Sequence, residues 1–300
     1  MLVLTHNTWC TGSASPLTNR RRCALRVAEV LAAKRTPSHD FVIIGLQECF
    51  AFRAGIVLYP VFAICWVLER ACPYRLRWFA GAIVYALVCV PWFAVSLVWT
   101  LLWYAGIPSW VPLWWDGRSS CTACFPASFW HSSASYPSES YKILDSGLLL
   151  LSSHRPVRSG FVPYEASAGL EFLAQKGFQW AEYDQNGTPL YVVHTHTQNE
   201  DDPLTKKQHA AEARNQQMRQ LRAFVGGLKG RVVLLGDLNS DNVSEVERVL
   251  SMKATIDKTV DYVLTKGIAS STASRSLSDA NSDHPLVEAS LSLSCLHATV

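Results

Sequence analysis

Apolar runs that stop abruptly on a polar residue recur along this chain. Val232 to Asp241 (VVLLGDLNSD) is the clearest, reading as a buried strand whose backbone alternation carries Asp237 and Asn239 on one face at its rim. MLVLTH runs into Asn7, FVIIGLQ into Glu48 and YVVHTHTQ through His196, while Asp261 stands in TVDYVL and Asp283-His284 in NSDHPLV. A Gly-Asp-x-Asn string by itself also makes an ordinary turn. Six such polar strand ends in one sequence favour a shared site over six unrelated turns.

Between these strands the spacing changes to that of helices. Cys23, Val27, Val30 and Leu31 predict a helix over Asn19 to Ala33, with Arg20 to Arg22 on its solvated face. Lys206 to Phe224 is amphipathic, with Ala210, Ala213, Met218, Leu221 and Phe224 inward, and Ser244 to Met252 predicts a shorter helix. Strands are expected in YKILDSGLLLLSS, QKGFQWAEY and PLYVVHTHTQ, then at Asp261 to Thr265 and His284 to Leu293. Lys176 reads most simply as the end of a helix before Gly177, and a cation there is also a candidate to meet phosphate. Ser119 to Tyr141, rich in Ser with scattered Pro, reads as a surface loop, and no internal repeat is visible.

Composition alters this picture at one place. The chain is 49% hydrophobic and 17% charged, more apolar than one core requires. The excess sits in two uncharged stretches, Ala54 to Leu68 and Trp78 to Trp115, joined by ERACPYRLR. A bilayer span needs about 20 apolar residues, so only the second is long enough. If Glu48 and the later motifs share a site, the chain must return to the side it left. That permits a two-helix hairpin or a re-entrant or interfacial loop and forbids a single crossing. Trp99, Trp103, Trp110, Trp114 and Trp115 crowd the distal end, as interfacial aromatics do. The competing reading is a buried helical pair kinked at Pro60 and Pro91.

A net charge of +3 without clustered basic residues argues against a nucleic-acid footprint. Nine cysteines without regular spacing, Cys121 and Cys124 forming a lone CxxC, are expected to be reduced and structural. The N-terminus enters its first strand with no charged region or cleavage site ahead of it, so no secretory signal is expected. Reduced cysteines and the missing signal favour the cytosolic face of a membrane, whereas Arg70, Arg75 and Arg77 would put the catalytic domain opposite if the hairpin spans.

The candidate residues define a chemistry. Glu48, Asp283, Asn7 and Asn239 are hard oxygen donors of the kind Mg²⁺ takes while keeping waters. His196 and His284, with Asp237 and Asp261, supply imidazole and carboxylate for in-line attack of water on a phosphodiester. His194 and His196 form an H-x-H pair, but two further ligands at zinc spacing are missing. Ser146 in DSGL lacks a G-x-S-x-G elbow and reads as a turn opening a strand.

The ordered set Asn7, LQE, DSGLLLLSSHRP, LAQKGF, THTQ, GDLN, DYVL and SDHP resembles the endonuclease/exonuclease/phosphatase superfamily, and within it the neutral Mg²⁺-dependent sphingomyelinases. The resemblance implies a four-layer α/β sandwich, two packed mixed sheets flanked by helices, as a single catalytic domain interrupted by the apolar insertion at 54–115. It implies Glu48 as principal Mg²⁺ ligand, with Mn²⁺ as the substitute ion, Asn7 near metal or phosphate, and Asp283 completing the metal or water network. His284 would be the general base, Asp261 its orienting partner, Asp237 and Asn239 the groups positioning water and substrate oxygens, and His196 a donor to the phosphoryl group. Membrane-bound relatives pair an Asp with the Lys of the KG element; Lys176 matches, and Glu171 holds the partner position. The gap between GDLN and DYVL is short, so loops shaping the substrate mouth would be reduced.

The expected function is a phospholipase C-type hydrolysis of a sphingolipid headgroup, sphingomyelin to ceramide and phosphocholine, with the bilayer as partner. A nuclease or phosphoinositide phosphatase on the same scaffold is the rival enzyme, and a membrane-tethered binding protein the rival from another class. Neither basic DNA-facing loops nor extra Lys and Arg for further phosphates stand out.

Overall fold

The computed structural model describes residues 1–8, 16–34, 41–49, 51–52, 115–116, 121–133, 145–201, 205–256, 259–268, 271–277 and 282–293. The chain divides into two compact units, Met1–Ala51 with Asp116–Val300, and Phe52–Trp115. Of the second unit only the two end residues are described, so the expected insertion lies outside the described residues. Among the described residues no helix is long and apolar enough to cross a membrane.

Two six-stranded sheets form the first unit. One has the order β13-β14-β1-β2-β6-β5, from β1 (Leu2–Asn7), β2 (Val42–Gln47), β5 (Trp130–Ser133), β6 (Leu149–Ser152), β13 (Ser271–Leu277) and β14 (Leu286–Leu291). The other has the order β11-β12-β10-β9-β8-β7, from β7 (Arg158–Pro163), β8 (Gly177–Gln185), β9 (Thr188–His196), β10 (Arg231–Asp237), β11 (Lys253–Ala254) and β12 (Asp261–Lys266). Two short strands, β3 (Ala51–Phe52) and β4 (Trp115–Asp116), pair separately. The helices are α1 (Pro16–Lys34), α2 (Lys207–Gly227) and α3 (Val243–Leu250), with a 3₁₀ turn at Gly169–Leu173.

Strand alternation sorts the core into three clusters, and these separate four layers. Val3, Ile43, Val192, Val233, Leu235 and Val287 face one another between the sheets. Their neighbours Leu2, Leu4, Val42 and Ile44 turn to the other side and pack on Val27 and Leu31 of α1. Val193, Val232 and Leu234 likewise meet Met218 and Leu221 of α2 and Val246 of α3. Period-two residues on one strand therefore feed two different cores, which is why these strands read as continuous apolar runs.

The centres of the two sheets share one pattern. β1 and β2 are parallel and joined through α1, and β9 and β10 are parallel and joined through α2. Antiparallel β14 and β6 flank the first pair, and antiparallel β12 and β8 the second. Open sheets bind ligands beyond the carboxyl ends of parallel strands. Asn7 and Gln47 end the first pair in register, and His196 and Asp237 the second.

Most expected elements are present with shifted ends. α1 starts three residues earlier than predicted, and the closing strand begins at Leu286, after Pro285, which has no N–H to give a ladder. The expected loop over Ser119 to Tyr141 is corrected: it contains β5, and Cys121, Phe125 and Phe129 are buried in the core beneath α1. Its WHSS strand sits at a sheet edge, where a polar composition is tolerated. The helix expected to end at Lys176 is instead the 3₁₀ turn, which stops at Leu173.

Sheet spacing is set close to the site. A Cβ on Gly45 of β2 would lie 2.7 Å from Leu235 Cδ1 and 2.8 Å from His194 Cδ2 of the opposite sheet. Gly45→Val should therefore force the sheets apart and cost about 1–3 kcal/mol, read as a lower urea midpoint at unchanged slope.

Candidate active site

Six of the predicted strand ends meet at one rim. Asn7 from the first sheet donates its Nδ2 to Asp237 Oδ2 of the second at 3.0 Å, both groups being buried. Asp237 Oδ1 accepts the Asn239 backbone N–H at 2.8 Å, and Asn239 Nδ2 donates to the Thr197 carbonyl at 3.1 Å. His284 Nδ1–H donates to Asp261 Oδ2 at 2.8 Å and lies 3.7 Å from Asp237 Oδ2. Ser282 ties this histidine to β1, accepting the His284 N–H at 3.1 Å and donating to the Asn7 carbonyl at 2.8 Å.

His196 stands between the Glu48 and Asp237 carboxylates. Its Nδ1 is 3.5 Å from Glu48 Oε1, without hydrogen-bonding geometry, and its Nε2 is 3.7 Å from Asp237 Oδ2. Contacts thus run from Glu48 through His196 and Asp237 to His284, which places the expected metal ligand and the expected base on one rim.

Backbone strain marks two of these residues. Glu48, Asn186, Asn239 and Ser251 are the non-glycine residues with positive φ among those described. Asn186 belongs to the Asn-Gly turn joining β8 and β9, and Ser251 caps α3 in the left-handed conformation. Glu48, at φ 64°, and Asn239, at φ 49°, have no such reason and both turn into the site. Each conformation costs of order 1–3 kcal/mol and persists only where surroundings over-determine it.

Burial and charge set the protonation states. Burial raises the Asp237 carboxyl well above its ordinary range, the Asp261 charge raises it further, and His284 and the Asn7 hydrogen bond oppose both. For His284, burial disfavours the imidazolium, but the bond to Asp261 and the charges of Asp261, Asp237 and Asp283 outweigh it and raise the pKa to about 9. His196 is held well below its ordinary value, first by burial and then by the charges of Lys176, His284 and His194. It is therefore a neutral imidazole that keeps one N–H to donate.

His194 is not a ligand. Its Nε2 accepts from Gln47 Nε2 at 2.6 Å between the sheets, and burial lowers its pKa to about 3. Ser146 likewise forms the turn before β6, its hydroxyl accepting the Leu148 N–H at 3.2 Å. Asp283 is exposed and influences His284 through charge, and no hydrogen bond or ion pair joins it to Glu48 or Asn7. Lys176 is buried, with Nζ donating to Glu171 Oε1 at 2.6 Å and to the Thr197 carbonyl at 2.7 Å. Glutamate therefore does reach the lysine of the KG element.

A divalent cation fits this donor set. Glu48, Asp237 and Asp261 bring three carboxylates to one buried rim where the facing groups are imidazoles, and Asp261 Oδ1 is buried without a hydrogen-bond partner. The Asn7 nitrogen is engaged by Asp237, and the side-chain oxygen of an asparagine is of the donor type that a hard cation takes. Asp237, Asp261 and His284 also bring ligand atoms within 4.8 Å of one another. An ion at their centre would have to break the His284–Asp261 bond, so that trio is better suited to proton transfer, and Glu48 with Asn7 to the metal. A dication there would neutralise charge on a phosphoryl oxygen and polarise a water.

Sequence comparison matches residues 4–284 to the Endonuclease/Exonuclease/phosphatase family. The chain belongs to that family. Within it the similarity runs to sphingomyelinases: 27% identity over 103 residues with sphingomyelinase C of Listeria ivanovii, spanning 33% of this chain and 30% of that protein. The fold is shared with the crystal structure of beta toxin from Staphylococcus aureus (TM-score 0.58, 13% identity, 96% of this chain and 98% of that one). A beta toxin variant with bound magnesium ions gives TM-score 0.55, with 14% identity and the same coverage of 96% and 98%. Sphingomyelinase C from Streptomyces griseocarneus gives TM-score 0.53 at 18% identity, again covering 96% and 98%. As in any member of the endonuclease/exonuclease/phosphatase family, the chemistry has to be argued from the site itself.

Four residues of this site received no role from the sequence. Gln47, the Thr197 carbonyl, Ser282 and Arg214 all bond to site residues or their neighbours. Gln47 and Thr197 adjoin singled-out residues and Ser282 lies in SDHP, whereas Arg214 stands on a helix face that looks solvated.

The electrostatics give one measurable outcome. In metal-free protein Asp261→Asn should lower the His284 titration midpoint from about 9 toward or below its ordinary value, because the partner that favours the imidazolium is removed. Imidazole NMR across pH 5 to 10 checks this, and an unmoved midpoint would show that Asp261 does not hold the ring.

Proposed function

We propose that this protein is a divalent-cation-dependent phosphodiesterase that removes the headgroup of a sphingolipid, converting sphingomyelin to ceramide and phosphocholine. The observation that carries it is the meeting of Asn7 and Glu48 from one sheet with His196, Asp237, Asp261 and His284 at one rim. Asp261 engages His284 Nδ1, which aims Nε2 away from it and fixes the tautomer able to take a proton. His284 Nε2 takes a proton from water, the water oxygen bonds to phosphorus, and the bond from phosphorus to the ceramide oxygen breaks. That oxygen takes up a proton as ceramide leaves. His196 donates to a phosphoryl oxygen, and Asp237 with Asn239 orients the water. Glu48 and Asn7 hold Mg²⁺, with Mn²⁺ as a substitute; Asp283 adds charge at the edge of this network, and Lys176 supports the phosphate side through the Thr197 segment.

The sphingolipid substrate rests on the sphingomyelinase relatives and on the apolar stretch at 54–115, which we read as a membrane-associating insertion that seats the domain on a bilayer. The cytosolic face rests on the sequence reading alone.

Sphingomyelin vesicles assayed against phosphatidylcholine, a phosphoinositide and DNA, with and without Mg²⁺, test this reading. Turnover of sphingomyelin alone, dependent on Mg²⁺, is expected. Preference for DNA or phosphoinositide would replace the substrate, and inactivity on all four would favour a binding protein. His284→Ala should lower turnover by at least about 10³-fold with the fold retained, because the general base is removed and Asp261 is left without its partner. Glu48→Ala should lose rate and Mg²⁺ response in parallel.

A further inference from the structure

We propose that Arg214, on helix α2, is a positioning residue that sets Asn239, and through it Asp237, for phosphodiester hydrolysis. The proposal rests on the function proposed above. α2 belongs to the outer layer, and most of its polar face is solvated. Arg214 departs from that pattern, with a side chain only 13% exposed. Its Nη1 donates to the Asn239 carbonyl at 2.6 Å, and its Nη2 donates to Glu200 Oε1.

These two acceptors lie on the two segments that leave the parallel strands of the second sheet. Glu200 follows β9 four residues after His196, and Asn239 follows β10 two residues after Asp237. The segments already meet directly, since the Thr197 N–H donates to the Asp237 carbonyl at 3.0 Å and Asn239 Nδ2 to the Thr197 carbonyl at 3.1 Å. Arg214 spans them from outside. One turn along the helix, Gln217 grips the first segment again, accepting the Gln198 N–H at 2.7 Å and donating to the Ala166 carbonyl at 2.8 Å.

The bond falls where it matters most. Asn239 has a left-handed backbone, and its N–H must point at Asp237 Oδ1 while its side chain points at Thr197. Fixing the carbonyl as well as the N–H holds the two peptide planes that flank Asn239. The guanidinium gives each acceptor a nitrogen of its own, Nη1 for the carbonyl and Nη2 for Glu200, in a planar fork that a single lysine nitrogen reproduces only in part. Arg214 reaches Asp237 through Asn239, whose carbonyl it holds and whose N–H is held by Asp237 Oδ1, so the path of its influence is geometric.

The test compares Arg214→Ala, Arg214→Lys and Glu200→Gln with the full wild-type chain. In Arg214→Ala, kcat on sphingomyelin vesicles should fall by about 10- to 100-fold, as small misplacements of reacting groups do, with KM within about twofold. Arg214→Lys should be intermediate, and Glu200→Gln should fall less than Arg214→Ala. Millimolar guanidinium should restore part of the Arg214→Ala rate. Hydrogen exchange read by mass spectrometry should speed up over residues 238–241 and not over 232–236. Unchanged exchange at 238–241 would overturn the tether without need of any substrate. Faster exchange with kcat retained would overturn its role in hydrolysis. Wild-type inactivity on every phosphodiester would count against the proposed function instead, and would leave the exchange result to decide the tether.

Discussion

The hydrogen bond from Asn7 to Asp237 joins the two sheets at the rim where chemistry is placed. Sheets packed face to face are held mainly by apolar contact, which is non-directional and allows small slides. A buried amide donating to a buried carboxylate allows far less, because breaking it strands a charge in a dry environment. The other distances at the rim depend on that fixed point. Asp237 is the group shared by Asn7, His196, His284 and the Asn239 backbone. Behind it the Gln47–His194 bond repeats the same logic one layer deeper, and Gly45 gives the imidazole room.

The resulting site is rich in negative charge. Asp237 and Asp261 crowd each other out of water, and the protein answers by protonating His284 and raising the Asp237 carboxyl. Such opposed shifts between neighbouring groups are where acid–base roles are assigned. They also explain why a cation belongs here. The same charges that hold His284 protonated in metal-free protein would be partly neutralised by a dication, bringing the imidazole back toward neutrality.

Much of this was legible in the sequence because the signal is local. An apolar run ending on Asn7, Glu48, His196 or Asp237 reports a strand delivering a side chain to an edge, and the amphipathic period of α2 reports its buried face, including Ala210, Ala213, Met218 and Leu221. Partnerships were not legible, since Asn7 and Asp237 are 230 residues apart. The Ser-rich segment misled because β5 is a polar edge strand while Phe125 and Phe129 anchor it from outside the strand. Arg214 was hidden because an arginine on a charged helix face looks the same whether it meets water or a carbonyl.

The Asn-Gly turn between β8 and β9 sits at the far end of the strand that delivers His196. Chemistry and connection are thereby assigned to opposite poles of one hairpin. That pole is open ground: an affinity handle or a whole guest domain could be inserted after Gly187, which keeps the glycine that its φ of 79° favours and around which nothing lies within 4 Å of an added Cβ, leaving the reacting atoms undisturbed.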